Sequence, residues 1–206
     1  MDPSLMVSFF APPMPFRPEE LYKHVRELEG LYGTIAASDT NARTAQAKAI
    51  VSATDSFLEG WLGSLFQQTL GELGVPESFR GFVVGKLRGL RAKLEFAKKM
   101  LAPLRQGWKV QDDAVSKFVE DRSGNDPGLP TLRNRIDHGD VVAQSDLRLN
   151  SIEFFRQTAC TYLEQVYDSL GVGRPGWLGQ QDELCGSGDA AQIKLYGRQP
   201  ESSEVS

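Results

Sequence analysis

The stretch from residue 41 to about 73 restricts the fold more than any other. Phe57, Leu58, Trp61, Leu62, Leu65 and Phe66 recur at helical spacing and form one broad apolar face. Nothing in "NARTAQAKAIV" or "SFLEGWLGSLFQQTLGEL" interrupts that pattern until "GVPES" at 74–78. A helix this long must bury its face against other elements. The rest of the chain supplies more helices. Residues 18–37 open with Pro18, Glu19 and Glu20, first-turn residues that suit the helix dipole. A third helix is expected over about 78–102, with Phe82, Leu90, Leu94 and Leu101 as its stripe and Pro103 and Gly107 at its end. A short helix follows over about 112–120, and "DRSGNDPGLP" is a loop. The last helix is expected over about 146–170, where Ile152, Phe155, Ala159, Tyr162 and Val166 keep a regular helical step.

The expected architecture is therefore all-α, a helical bundle of about five helices over residues 18–170. Residues 1–17 form an N-terminal extension. Residues 171–206, with six glycines in their first 19 positions, read as a flexible tail. At 206 residues, with 40% hydrophobic and 24% charged residues, the chain can bury an ordinary single-domain core. No apolar run reaches the roughly 18 residues of a membrane span. The N-terminal segment lacks the basic start of a signal peptide and is broken by prolines, so a cytoplasmic protein with no membrane contact is expected.

Net charge is −4, which argues against a general nucleic-acid binder. The charge is unevenly placed, however. From Arg80 to Lys109 there are nine Lys or Arg and a single acid, Glu95, a net +8 that leaves −12 for the remainder. Lys86, Arg88 and Arg91 in this band are candidates for phosphate contacts. A solvated helix face balanced by acidic neighbours is the alternative.

Few residues could do chemistry. There is no phosphate-binding glycine loop, no HExxH and no CxxC. Cys160 sits in a helical pattern as a small core residue, and Cys185 has no metal-ligand spacing. With two histidines in all, neither a metal nor another cofactor is expected. His24, in the charged stretch "YKHVRELEG", reads as a surface residue.

His138 closes the segment "LPTLRNRIDHGDV" at 129–141. Asn134 and Arg135 stand four and three residues before it, on its own helix face. Arg133 is five before it, about 140° around the axis, within reach of a long side chain if the helix stops at His138. Gly139 suits that stop, because it can take the left-handed conformation. An Arg that grips phosphate oxygens in two places and a His that titrates near neutrality suffice for transesterification at an RNA phosphate. There the substrate brings its own 2′-hydroxyl. Asp55 falls on the apolar line Val51, Asp55, Leu58, Leu62. A carboxylate there needs a partner. It is expected to orient Arg133 or His138 from across the bundle, with Glu59 one turn later as the fallback. A solvated stripe edge is the alternative.

"LRNRIDHG" resembles the signature of the HEPN superfamily, all-helical domains with an Arg-x(4–6)-His motif often written Arg-Asn-x-x-x-His. The upstream "SATDSFLEGWLGSLF" also resembles the earlier helix of such domains, which carries a polar residue in an apolar stripe. The resemblance covers roughly residues 45–170, with the RiboL-PSP-like proteins as the best-matching subgroup. It implies that Arg133, Asn134 and His138 form the site of a metal-independent endoribonuclease acting as a homodimer. It implies a toxin or antiviral role, with an antitoxin or nucleotidyltransferase as possible partner. Some members only bind RNA or nucleotides, and a helical protein-interaction domain in which the motif is a coincidence is the further alternative. Asp137 is a departure, since the residue before the family's His is often small or apolar.

Overall fold

A computed structural model describes residues 18–105, 107–110, 113–120 and 127–179. The extension 1–17 and residues 180–206 of the expected tail, including Cys185, lie outside the described residues. Every regular element among the described residues is helical, so the all-α expectation holds. Contacts divide the chain into two units, Met1–Val172 and Gly173–Ser206. In the second unit, residues 176–179, read from sequence as tail, form a short helix, α8 (Gly176–Gly179).

The first unit is built around one helix. After α1 (Pro18–Thr34), α2 runs from Thr40 to Glu72, 33 residues and about 50 Å at 1.5 Å per residue. Asp39 caps it, accepting a hydrogen bond from the Ala42 amide at 3.0 Å. Gly74, at φ +78°, ends it in a left-handed turn. The six apolar residues that mark its face in sequence are all buried, as are Gly63 and Thr69 elsewhere on its surface. The helices α1, α3, α4, α6 and α7 all pack on it. A helix covered on so many sides is the spine of its domain.

The third expected helix is two helices. α3 (Glu77–Lys86) and α4 (Gly89–Phe96) are separated at Leu87 and Arg88, where the backbone extends. Gly89 takes φ +78°, a conformation that L side chains adopt at a cost. Phe82, expected in the buried stripe, is instead 60% exposed, while Leu90, Leu94 and Leu101 are buried as expected. α4 continues as a π-helical turn (Ala97–Leu101) and a 3-10 turn (Ala102–Leu104).

α5 (Asp113–Glu120) and α6 (Leu129–Asp137) follow. The last helix, α7, spans Phe154–Leu170 and starts later than the expected residue 146. Residues 144–150 form turns, with Arg148 at φ +49° and its guanidinium 4.3 Å from the Phe154 ring centre. Asp146, Asn150 and Ser151 are residues whose side chains compete for backbone partners and favour turns over helix. Ile152 is buried, but from the turn before the helix. α7 crosses α2 with Phe155, Ala159, Cys160, Tyr162 and Val166 in the core. The Trp61 indole donates to the Tyr167 hydroxyl at 2.6 Å, joining the two helices through a buried polar contact. No helix among the described residues is long and apolar enough to cross a membrane.

Candidate functional site

α6 positions the motif. Pro130 lies in its first turn, and Leu129 and Leu132 anchor it in the core. His138 is its C-cap residue. Gly139, at φ +74°, ends the helix in the left-handed turn expected from sequence, with its amide on the Ile136 carbonyl and the Asp140 amide on that of Arg135. The face carrying Arg133 packs on α2.

Arg133 is the centre of the site. Its Nη1 lies 3.2 Å from Asp55 Oδ2 and 3.8 Å from Glu59 Oε2, both on α2. Its Nε lies 3.1 Å from Asp137 Oδ2, one turn later on α6. Asp55 is the buried member, 1% exposed, whereas Arg133 and Asp137 open toward solvent. Burial pushes the Asp55 carboxyl up to about 7, against the pull of the Arg133 charge; Glu59 and Asp137 add to the rise and Lys93 opposes it. Neither Asp55 oxygen receives a well-directed hydrogen bond from a described residue, although Arg133 is in ion-pair contact. Near neutrality Asp55 is therefore shared between its charged and neutral forms. It can steer the guanidinium without fully cancelling its charge.

Glu59 ties a third element to this cluster. Its Oε1 accepts from Lys93 Nζ at 2.8 Å and from the Gly89 amide at 3.0 Å. Lys93 is buried, which only such a pairing makes tolerable. The break between α3 and α4 is thus held against the motif. In sequence Glu59 stood only as the fallback for Asp55, and Lys93 only as one charge in a band. The sole signal for their pairing was an acid and a base that each interrupt an apolar stripe.

The expected convergence of Arg133, Asn134 and His138 is partial. Asn134 and His138 are exposed at the helix end, and neither side chain bonds to another described residue. Arg133 turns toward α2 and Asp137 instead of His138. Asp137, the residue before His138, is engaged by Arg133. Arg135 makes a loose 3.9 Å pair with Asp146.

Part of the basic band is paired with acids. Lys93, Lys98, Lys99 and Arg105 pair with Glu59, Glu120, Glu95 and Glu72. Lys98, Lys99 and Arg105 fit the expectation of a helix face balanced by acidic neighbours, whereas Lys93 is buried. Lys86, Arg88 and Arg91 are exposed around the α3–α4 break. Of the two histidines, His24 lies on the surface of α1, 4.0 Å from Glu27, and Cys160 is buried, both as expected. Among the described residues no group of three or more His, Cys, Asp or Glu side chains is placed to hold a metal ion.

No protein-family model matches the chain, and no characterised protein or solved structure is significantly similar to it.

Proposed function

We propose that this protein is a HEPN-type endoribonuclease that cleaves RNA by attack of the 2′-hydroxyl on the adjacent phosphate. The observation that carries this reading is the placement of Arg133. A buried carboxylate grips it from below, while Asn134 and His138 stand exposed on the same helix end. Arg133 and Asn134 hold the scissile phosphate, and Arg133 offsets the charge that builds on its oxygens. His138 serves as general acid or base. The products are a 2′,3′-cyclic phosphate and a 5′-hydroxyl. One Arg and one His per chain make a thin site, so the active form is a homodimer with the two motifs facing across a two-fold axis. By resemblance, its setting is that of a toxin or antiviral effector restrained by a partner.

The test is cleavage of a labelled RNA by the wild type, His138→Ala and Arg133→Lys. His138 is exposed, so its loss leaves the melting temperature close to wild type while turnover falls about 10²- to 10⁴-fold. Arg133→Lys keeps the charge but loses the planar fork, and cleavage fails with it. Wild-type cleavage by a folded His138→Ala variant refutes the mechanism.

A second reading is a non-catalytic RNA- or nucleotide-binding module. It is favoured by the absence, among the described residues, of a partner that orients the His138 ring. In that case binding survives His138→Ala and is lost with Arg133.

A further inference from the structure

α3 is a helix of ten residues with none of them buried. So short a helix is marginal by itself, and two contacts hold it in place. Arg80 Nη1 donates to the Gln67 carbonyl at 3.1 Å, and its guanidinium lies over Gly71, where any Cβ would collide with it. Val84 packs over Gly63 of α2. The opposite face is left open. Phe79 and Phe82 are 57% and 60% exposed, with ring centres 6.4 Å apart and planes inclined by 29°. Two large exposed aromatic rings side by side are unusual on a soluble surface.

Their surroundings identify the occupant. Lys86 Nζ stands 5.4 Å from the Phe82 ring centre. From Ser78 to Leu94 the chain contains no acid, while Lys86, Arg88 and Arg91 project into solvent. Aromatic faces interleaved with exposed positive charge match a polyanion with flat bases, and match a neutral apolar partner poorly. The surface is also continuous with the site. Three residues after α3 ends, the Gly89 amide meets Glu59 Oε1 at 3.0 Å, and Glu59 Oε2 lies 3.8 Å from Arg133 Nη1.

We propose that Phe79 and Phe82 form a stacking platform for unpaired bases, and that single-stranded RNA runs from this platform past Arg88 to Arg133. The inference rests on the reading of this protein as one that acts on RNA, and it specifies the substrate as single-stranded. The bases lie against the two rings, Lys86 and Arg88 meet the phosphates between them, and the strand enters the site a few nucleotides further on. A duplex cannot use the platform, because its bases are already stacked on one another.

The experiment measures binding by fluorescence anisotropy in the His138→Ala background, which keeps the RNA whole. The probes are a short fluorescein-labelled oligoadenylate and an RNA duplex of equal length. Phe79→Ala/Phe82→Ala weakens oligoadenylate binding about 10- to 100-fold and leaves duplex binding and the melting temperature unchanged. Phe79→Tyr/Phe82→Tyr, which keeps the ring faces, binds as the parent does. Phe79→Leu/Phe82→Leu, apolar but without faces, does not. Equal binding by the alanine variant overturns the platform, and so does full binding by the leucine variant, which marks a face for an apolar protein partner. A dimer that becomes monomeric in the alanine variant with RNA affinity intact also overturns it, in favour of a self-association face. Failure of the platform is separable from failure of the nuclease reading. In the first case the wild type still cleaves RNA while the aromatic variants bind normally; in the second it does not cleave at all.

Discussion

At Asp55 one carboxylate does two opposed things. It orients Arg133 from a site with 1% exposure, and it resists being charged there. Its pKa of about 7 when folded lies above the ~3.9 of an unfolded Asp. Between those values the folded chain binds the extra proton, so the stabilising contribution is complete below about pH 4 and is lost as pH rises through 7. From pH 5 to pH 8 the loss from this residue amounts to about 2 to 3 kcal/mol. Asp55→Asn keeps the shape and removes the titration. Urea unfolding at the two pH values is therefore expected to show that loss in the wild type and a flatter profile in the variant. An equal slope in both would place the titrating group elsewhere. The stripe line Val51, Asp55, Leu58, Leu62 made Asp55 legible as a residue in need of a partner. That Arg133 is the partner, with Asp137 taking its other side, depends on the rotation of α6 against α2, which no local pattern encodes.

Among the elements, the α3–α4 break is where local pattern and structure part. Residues 78–102 have enough apolar and basic residues for one continuous helix, yet Gly85 and Gly89 weaken it from within. Gly89 at φ +78° releases its amide to Glu59, while Glu59 also takes the buried Lys93. Gly89→Ala meets no neighbour within 4 Å, so its cost is backbone strain alone, about 1 to 2 kcal/mol. It is expected to lower the unfolding free energy by that amount and to loosen Glu59, and, on the proposed nuclease reading, to reduce cleavage more than a surface substitution of equal stability cost. A variant as stable and active as the wild type would show that the junction does not support the motif. The start of α7 differs for a similar reason. Ile152, in phase with the helix, is buried from a turn, because burial needs only the right place and not the right secondary structure.

The whole domain depends on a few polar ties drawn across its helices. Arg156 on α7, 1% exposed, donates to Glu29 on α1 at 2.8 Å and lies 3.4 Å from the Tyr22 hydroxyl. Burial raises the Glu29 carboxyl, and the Arg156 charge pulls it back down. Tyr162 and Lys98 meet Glu120 in the same manner between α7, the π turn and α5. Arg156→Ala strands a buried carboxylate and is expected to cost about 3 to 5 kcal/mol in chemical denaturation. Replacing Arg156 and Glu29 together with apolar residues recovers much of that loss, because the stranded charge is gone. If the double variant is no more stable than the single one, the pair contributes more than mutual neutralisation.

Several features of this protein follow from its sequence alone. The helical class, the buried face of α2, the stop at Gly139 and the buried Cys160 rest on short-range rules, spacing of 3.6 residues and the conformational freedom of glycine. The motif residues were legible by type, since His and Asn are few and fall with an Arg at one helix end. Only the tertiary structure decided which charges meet. It sent Arg133 to Asp55 instead of His138, buried Lys93 on Glu59, and turned Phe82 outward. Ion pairs and exposure are set by how helices far apart in the chain rotate against one another. The energy that fixes that rotation comes from the summed packing of the core, and no single window of the sequence contains it.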